Sequence, residues 1–497
     1  MRRSVVCFVV LTMFLLISPV VNAGHSGVAI ECEEHLALPA DKILRISPTL
    51  VEFEHHGFLP ISAEVEVFQH WEDSVDTIPL VAVKVGFEEV VATVFGGEVV
   101  RFDVYDPLYI RTIRVAISTE QFGSIWHDVL SFSPTLKLYV EEKGTGRGFQ
   151  VNAEQEAVVF VQDGRLHVVD GTGITWEFGQ RLHLWADAEG LIQINTFKRG
   201  TGKMFYPQYR GRFELTVADD GGFLAINEVG LEEYLFQVVP SEMPHSWPLE
   251  ALKAQAVAAR TYAVAQAIYS RQGHLGFHVA DSTNSQVYNN QPEAASATRA
   301  IKETAGQILA QPDGTISSTY FYSTSPGTIL TDLKTWSDKS QLALEGNSPW
   351  FRWKCTFTRS ELENLFDLGQ IAGVQVNIRD DRGRVTSLLV HGTRGKELIE
   401  GELNIRRALR PRSIERVNDT LGPQSLLPSA LFFIEQHKDA QGQLQSITLY
   451  GGGSGHNMGM SQWGAKGRAE SGCDYLTILD TYYPEARLIT HSEQLRY

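Results

Sequence analysis

Cysteine is scarce in this sequence, and no two cysteines form a CxxC pair. Among 497 residues there are four, Cys7, Cys32, Cys355 and Cys473, and the first lies in an apolar N-terminal run. Such sparse and widely spaced thiols leave room for one disulfide. They exclude a disulfide-stapled scaffold and a thiolate zinc cluster.

Positive charge is also in short supply. Lysine and arginine together number 43 against 59 aspartates and glutamates, which gives a formal net charge of -16. A surface of this sign repels phosphate, so the composition argues against nucleic acid as a partner and disfavours tight binding to anionic lipid.

Long apolar runs are absent except at the N-terminus. Arg2 and Arg3 precede the apolar run Val5–Ile17, and Val21-Asn22-Ala23 has the small-residue pattern of a cleavage site. We therefore expect a signal peptide over residues 1–23 and an exported protein of the periplasm or cell-wall space that starts near Gly24. No cysteine stands at this point, so a lipoprotein is not expected. An uncleaved membrane anchor remains an alternative, but the mature chain should have no transmembrane span.

Short runs of alternating apolar and polar residues fill the first part of the chain, for example Ala63–Phe68. Such runs predict half-buried strands. We expect an α+β protein: a β-sandwich-like module over residues 24–136, a β-rich connecting region over 137–204, and a mixed α+β domain over 205–490. In the last domain, Tyr209–Leu215 and Phe223–Asn227 should pair as a hairpin.

An alanine-rich stretch predicts one long helix in this mixed domain. Ser246 is a plausible N-cap and Pro248 suits a first turn, so the helix should begin at about Trp247. Apolar side chains recur at helical spacing and form one face that is suited to burial. They are Leu249, Leu252, Ala256, Ala259 and Ala263.

One acid, Glu242, stands just before this helix. It lies between Pro240 and Pro244, in a segment that should form a stiff loop. An acid held against a buried helix can have a raised pKa, as a general acid needs near neutral pH. The alternative is a solvated carboxylate favoured by the helix dipole, and the residues alone do not decide between the two.

Three further stretches carry polar or aromatic groups that suit either sugar recognition or ordinary structure. Asp281–Tyr288 and Tyr320–Thr328 are rich in hydroxyls and turn formers, and Gly451–Ala465 presents His456 after a run of glycines. Trp336, Trp350 and Trp353 could stack on sugar rings or belong to a core.

Several of these stretches together resemble the stage II sporulation protein D family. The resemblance rests on Leu231–Leu235, Pro240–Pro244 and Glu250–Tyr262, with Asp281–Tyr288 and Gly455–Tyr483 following in the family's order. It covers roughly residues 209–485 and leaves the N-terminal β region unexplained. It makes residues 205–490 the expected catalytic domain.

The resemblance implies a function. Characterised members are peptidoglycan lytic transglycosylases that act on glycan strands without stem peptides, and a related branch is described as amidase enhancers. The family's catalytic glutamate, in the Glu-Met-Pro motif, falls on Glu242. We expect other residues to surround the substrate cleft, with no cofactor. These are Gln255, Arg260, Asp281, Gln286, Ser323, His456 and Gln462.

The sequence also departs from the family pattern. Some members bind zinc through Cys and His in the segment equivalent to Tyr320–Thr328, where this chain has Tyr322 and Ser325, so no metal is expected there. Asn457 replaces a glycine after His456. Two alternatives stay open: a non-catalytic wall-binding protein that stimulates an amidase, and a hydrolase that uses Asp281 as a second carboxylate beside Glu242.

Overall fold

The computed structural model describes residues 112–490 apart from residues 144, 188, 219–220 and 270–274, and leaves the side chains of residues 268 and 269 undescribed. Upstream of residue 112 it describes only the backbone of short strands between residues 5 and 104. The predicted signal peptide and most of the predicted first module therefore lie outside the fully described residues.

Helices and strands both occur throughout the described residues, which confirms the α+β class. The chain divides into two units. Unit 1 comprises residues 1–245, 259–318 and 487–497, and unit 2 comprises residues 246–258 and 319–486. The domain boundaries predicted after residues 136 and 204 stay predictions.

The strands and helices of unit 1 follow one another as a β-rich half and then a helical half. A short 3₁₀ turn spans Glu120–Phe122, before the strand that begins at Trp126. The elements are β1 (Thr112–Ala116), β2 (Trp126–His127), β3 (Val129–Pro134), β4 (Leu138–Glu142), β5 (Gly148–Val151), β6 (Ala157–Gln162), β7 (Arg165–Val169), β8 (Thr175–Glu177), β9 (Arg181–Ala186), β10 (Ile192–Ile194), β11 (Gln208–Tyr209), β12 (Arg212–Val217), β13 (Phe223–Gly230), α1 (Leu231–Glu242), α2 (Leu249–Tyr269, whose first residues belong to unit 2), β14 (Val279–Ala280), α3 (Ala295–Glu303) and β15 (Gln307–Ala310).

Unit 2 and the end of the chain contain the remaining elements. They are β16 (Phe321–Tyr322), α4 (Leu333–Ser337), β17 (Trp353–Thr358), α5 (Arg359–Leu365), β18 (Ile371–Arg379), β19 (Val385–Gly392), β20 (Gly395–Glu400), α6 (Glu402–Ala408), β21 (Ile414–Arg416), β22 (Thr420–Leu421), β23 (Phe432–Lys438), β24 (Leu444–Gly451), β25 (Met460–Ser461), α7 (Gln462–Glu470), α8 (Tyr475–Tyr482) and, in unit 1, β26 (Arg487–Thr490).

Two sheets build the β-rich half of unit 1. One has the strand order β5-β4-β9-β12-β13-β1-β14, with β2 also paired to β13, and the other has the order β8-β7-β6-β3-β10-β11. Their buried faces meet where the rings of Phe132 and Phe213 lie 5.4 Å apart. The predicted hairpin is present as β12 and β13, because Thr216 pairs with Leu224 across the turn.

The long alanine-rich helix is present as α2, and it begins later than expected. Its first residue is Leu249, so Pro248 stands immediately before it in place of the predicted N-cap Ser246. Every residue from Ala254 to Ala265 is buried. Small alanine side chains allow this burial on all sides, because they let neighbouring backbone approach closely.

Unit 2 has its own core, built on the sheet β22-β21-β17-β24-β23 and the sheet β18-β19-β20. Trp353, Phe357 and Phe432 are at most 1 % exposed within it. Within the described residues, no helix is both long and apolar enough to cross a membrane.

Candidate functional site

Glu242 is the last residue of α1, not part of the stiff loop that its two neighbouring prolines predicted. Pro240 lies inside the last turn of this helix, where its missing N–H leaves a gap in the hydrogen-bond ladder. The helix ends two residues later, and the Met243 N–H closes it by donating to the carbonyl of Val239 at 3.0 Å. The proline therefore shortens the helix and does not prevent it.

The carboxylate of Glu242 is held from a distant part of the chain. Its Oε1 accepts a hydrogen bond of 2.6 Å from the backbone N–H of Val287, and the Glu242 side chain is half-buried. The C-terminal end of a helix carries partial negative charge, and this N–H donor offsets it. The acid is thus positioned and still accessible to solvent.

Ser241, the residue before this acid, fastens the same loop. Its hydroxyl donates to the carbonyl of Gln237 at 2.6 Å and accepts from the backbone N–H groups of Asn290 and Gln291 at 2.9 and 3.1 Å. The loop that follows the predicted Asp281–Tyr288 stretch is therefore fixed to the end of α1. The structure brings two of the sequence-predicted segments together at Glu242.

Gln286 lies in this loop and belongs to a buried network. Its Oε1 accepts from the hydroxyl of Tyr234 at 3.1 Å, and its Nε2 donates to the carbonyl of Ala259 on α2 at 3.3 Å. Burial raises the pKa of Tyr234 well above its usual value, and the charges of nearby groups, including Glu242, add to the rise. The phenol therefore stays neutral and donates a hydrogen bond at any physiological pH.

Asp281 is fully buried and paired inside the protein. Arg199 lies 2.9 Å from its Oδ2, and the hydroxyl of Ser118 donates to its Oδ1. Burial raises the pKa of Asp281, while Arg199 and Ser118 oppose the rise. Its contacts anchor the start of the 281–291 loop to β1.

Arg260 also makes an internal ion pair. Its guanidinium bonds both oxygens of Glu232 on α1, at 2.6 and 2.7 Å, and donates to the carbonyls of Gln307 and Ile301. The side chain is fully buried. Arg260 therefore fastens α2 to α1, the helix that carries Glu242.

The other predicted residues lie in unit 2, where two of the motif stretches are joined. β16 and β25 pair in parallel, with Tyr322 opposite Ser461, and the carbonyl of Ser323 accepts from the Trp463 N–H at 3.0 Å. Gln462 is the first residue of α7 and is 8 % exposed. The hydroxyl-rich stretch and the glycine-rich stretch thus form one local structure around Ser323 and Gln462.

His456 lies against two tyrosines of this local structure. The ring centroids of Tyr320 and Tyr322 are 6.1 and 5.7 Å from that of His456. Burial lowers the pKa of His456, so the ring is neutral near pH 7. Asn457 has a φ of 58°, a left-handed conformation that Asn adopts more readily than most residues, which explains how it replaces glycine.

Gln255 differs from the other buried candidates because its side-chain amide is unpaired within the described residues. The residue is 0 % exposed, and neither polar atom of its amide has a hydrogen-bond partner within the described residues. A buried amide without hydrogen-bond partners costs about 1–3 kcal/mol of folding free energy, so Gln255 destabilises the folded protein.

One acid of unit 2 was missed by the sequence reasoning. Glu345 is 5 % exposed, and its Oε2 accepts from the hydroxyl of Ser461 at 2.6 Å and from the backbone N–H of Ser325 at 3.3 Å. Burial raises the pKa of Glu345 to about 7, and the two donors and the charge of Arg468 only partly oppose this. Nothing in the sequence around Glu345 indicates burial, since it lies in a turn.

The tryptophans that the sequence offered as sugar platforms are mainly structural. Trp353 is fully buried and donates its indole N–H to the carbonyl of Gly453 at 3.0 Å, and Trp336 donates to that of Gly451 at 3.0 Å. Of the three, Trp353 cannot stack on a ligand without unfolding the unit 2 core.

The Tyr320–Thr328 stretch has a donor set that does not suit zinc. Burial raises the pKa of the Tyr322 phenol, and Ser325 offers only a hydroxyl, whereas zinc is bound by thiolate, imidazole and carboxylate. Across the described residues, no group of three or more His, Cys, Asp or Glu side chains could hold a metal ion. Cys355 and Cys473 are both free thiols.

Comparison with known proteins gives two family matches. The family described as Stage II sporulation protein matches residues 219–310, which include Glu242 and the 281–291 loop. A family described as Domain of unknown function (DUF8618) matches residues 332–459 of unit 2.

Individual relatives agree with the first match. An amidase enhancer of Bacillus subtilis (strain 168) is 26% identical over 51% of this chain and 40% of its own length. An uncharacterized protein of Brachyspira hyodysenteriae is 29% identical over 54% of this chain and 69% of its own. A stage II sporulation protein D of Bacillus amyloliquefaciens is 30% identical over 52% of this chain and 74% of its own. From the family match and these relatives, the chain belongs to the stage II sporulation protein D family.

Proposed function

We propose that this protein is an exported lytic transglycosylase that cleaves peptide-free peptidoglycan glycan strands, with Glu242 as its general acid/base. The observation that carries the proposal is the position of Glu242: a half-buried carboxylate at the end of α1, held at 2.6 Å by the Val287 N–H. A single acid in a fixed place and open to solvent is what this reaction requires.

One carboxylate is enough because the substrate supplies the nucleophile. Glu242 protonates the oxygen of the breaking glycosidic bond, and the C6 hydroxyl of the same sugar attacks the anomeric carbon. Glu242 then takes the proton of that hydroxyl, which regenerates the acid and leaves a 1,6-anhydro ring. The rate gain comes from proximity, since both reacting groups belong to one sugar.

The surrounding residues support this role by holding the acid in place. Ser241 and Val287 fix the 281–291 loop to the end of α1, and Arg260 ties α1 to α2. Arg260 and Asp281 are buried in ion pairs, so we assign them support of the framework in place of contact with the glycan. Ser323, His456 and Gln462 remain proposed glycan-binding residues of unit 2.

The test is the product of the reaction. Peptide-free glycan strands are incubated with the protein, and the fragments are analysed by mass spectrometry. We expect fragments with 1,6-anhydro ends from the wild-type protein and from Glu233→Gln, and none from Glu242→Gln. Glu233 is a matched control, because it lies on the same helix with its side chain 41% exposed. Equal fragment release by Glu242→Gln would sink the role of this acid.

A second candidate function is stimulation of a separate amidase of the cell wall. It is favoured by the similarity of this chain to an amidase enhancer, although the match spans 40% of that protein. This function predicts glycan binding without fragments, and amidase stimulation that survives Glu242→Gln.

A hydrolase with Asp281 as second carboxylate is not favoured. Asp281 is 0% exposed and bonded to Arg199 and Ser118, so a sugar cannot reach it. Hydrolysis would give reducing ends without the anhydro ring, and the same product analysis distinguishes it.

A further inference from the structure

One face of the eight-stranded sheet of unit 1 carries a row of large polar and aromatic side chains. The strand register sets Tyr139 opposite Trp185, Trp185 opposite Arg212, Arg212 opposite Glu228, and Glu228 opposite Arg114. Side chains directly opposite one another lie on the same face of a sheet. The row therefore crosses five neighbouring strands, from β4 to β1.

This face is partly open to solvent at its β4 and β9 end, whereas its β13 and β1 end, with Ile226 and Arg114, is buried. Residues alternate between the two faces along each strand. The neighbours Leu138, Leu184 and Phe213 are fully buried, whereas Tyr139 and Trp185 are half-buried. A polar face of this kind is usually only solvated, so the row alone indicates no ligand.

A cavity on this face supplies the second observation. Its volume is about 640 Å³, and Glu141, His183, Trp185, Arg212 and Glu228 contribute to its lining. A space of this size, lined by an aromatic ring and several polar groups, is within the range of small-molecule sites.

The charged groups beside the cavity are paired with one another. Arg114 bonds Glu228 at 2.5 Å and Glu214 at 3.2 Å, Arg181 bonds Glu214 at 2.6 Å, and Arg212 bonds Glu228 at 2.5 Å. Each of these two glutamates therefore meets two arginines. Because these charges already satisfy one another, a neutral polar ligand suits the site better than an ion.

Two aromatic rings are already stacked at one end of the row. The centroids of Tyr139 and Trp185 are 5.6 Å apart with an angle of 14° between the planes. The indole N–H of Trp185 and the carboxylate of Glu141 make no side-chain hydrogen bond within the described residues. A ring face with a donor and an acceptor beside it matches a pyranose, which has apolar ring faces and hydroxyls at its rim.

We propose that this surface, the β4–β9–β12 face, is a second saccharide-binding site that holds a neutral glycan segment away from Glu242. A sugar ring stacks on Trp185, and its hydroxyls bond to Glu141 and Arg212. The inference rests on the proposed function, since that function makes a glycan the ligand.

The site is separated from the proposed acid by the length of a helix. Gly230 also lines the cavity and directly precedes α1, and Glu242 ends that helix twelve residues later. At 1.5 Å per residue, the separation along α1 is about 18 Å. A disaccharide is shorter than this, so only longer strands gain from the second site.

The test is a binding titration in the Glu242→Gln background, so that the glycan stays intact. Peptide-free glycan strands are titrated by calorimetry into this protein and into the same protein with Trp185→Ala or Glu141→Gln. We expect the Trp185→Ala protein to bind about tenfold more weakly, in line with the loss of one aromatic contact. Within the described residues the Glu141 carboxylate makes no side-chain hydrogen bond, so Glu141→Gln should weaken binding severalfold through loss of the ligand contact alone.

Trp176→Ala is the matched control, because Trp176 is also half-buried and stacked, on Phe149 at 4.8 Å, but does not line the cavity. It should bind like the background protein. The inference is wrong if all three variants bind the glycan as tightly as the background protein. It is also wrong if Trp176→Ala loses as much affinity as Trp185→Ala. Glycan fragments from wild-type protein are scored separately: absence of anhydro ends with a binding loss in Trp185→Ala would overturn the proposed reaction and leave this site standing.

Discussion

The two units hold their buried acids in different ways. In unit 1, Glu232 and Asp281 each meet an arginine, Arg260 and Arg199. In unit 2, Glu345 is held by a hydroxyl and a backbone N–H, and among the described residues no guanidinium lies at hydrogen-bond distance from it. The stability of unit 1 should therefore depend on these arginine side chains, and the stability of unit 2 should depend on pH.

Glu242 differs from these acids in its exposure. Its side chain is half-buried, its Oε1 accepts from the Val287 N–H, and its framework depends on the arginine pairs of unit 1. A carboxyl that solvent reaches can exchange its proton with a substrate, whereas the buried acids serve mainly to fix the fold. The comparison therefore separates the proposed reactive carboxyl from several structural ones, and four experiments test it.

The largest effect should come from Glu242→Gln. The substitution keeps the shape and removes the acid, so the rate of anhydro-product formation should fall by about 10²–10⁴, the range of general acid–base catalysis. The midpoint of urea unfolding should barely move. A Glu345→Gln protein measured beside it at pH 6 should keep its rate. An equal rate loss in both variants would contradict the distinction between the two acids.

Arg260→Met should be the most destabilising change in unit 1. It leaves the Glu232 carboxylate buried without its partner, and breaking such a pair costs about 3–5 kcal/mol. The free energy of unfolding from urea titration measures the loss. Arg299→Met is the control, because Arg299 pairs with Glu303 on an exposed helix surface and should matter little. Similar losses in both variants would show that the buried pair has no special weight.

The stability of unit 2 should depend on the protonation of Glu345. Its pKa is about 7 in the folded protein against 4.5 in the unfolded chain, so the folded state binds more protons between these values. The contribution of Glu345 to stability is then greatest below pH 4.5, falls as the pH rises to about 7, and is level above that. The fall amounts to about 3 kcal/mol. Hydrogen exchange of α7 at pH 5 and pH 8, corrected for intrinsic rates, measures it.

Glu345→Gln should remove most of this pH dependence, because the amide does not ionise. The phenols of Tyr482 and Tyr322 near Glu345 stay neutral in this interval, because burial raises the pKa of each. The interpretation fails if the variant retains the full difference in exchange between the two pH values.

The smallest effect should come from Ser241→Ala. The change removes one hydroxyl that bonds Gln237, Asn290 and Gln291, and it should cost about 1–2 kcal/mol of stability. The loop that positions Glu242 should loosen, so we expect faster amide exchange at Asn290 and Gln291 and a rate reduced severalfold. Unchanged exchange at these two amides would show that other contacts hold the loop.

Sequence patterns predicted the local structure well where neighbouring residues determine it. The hairpin of β12 and β13 follows from alternation and turn residues, and α2 follows from its alanines. These features depend on residues close in the chain, so a single sequence contains the information.

The sequence failed where distant residues decide the outcome. Pro240 indicates a loop by local rules, but packing keeps α1 helical through it. Glu345 is polar and lies in a turn, and only contacts with Ser461 and Ser325 show that it is buried. The sequence drew attention to Trp353, a core residue, and passed over Trp185, because which face of a strand is solvated depends on the second sheet.

The pairing of β15 with β26 has a consequence for how the chain folds during synthesis. Ala310 pairs with Arg487 near the end of the described chain, after the whole of unit 2 has been made. Until then, β15 lacks β26 as its neighbouring strand. The apolar side chains of Ile308 and Leu309 on β15 are at most 3% exposed in the folded protein. An exposed strand edge of this kind invites association with other chains. Unit 1 therefore lacks the strand beside β15 until the chain after unit 2 is available to pair with it.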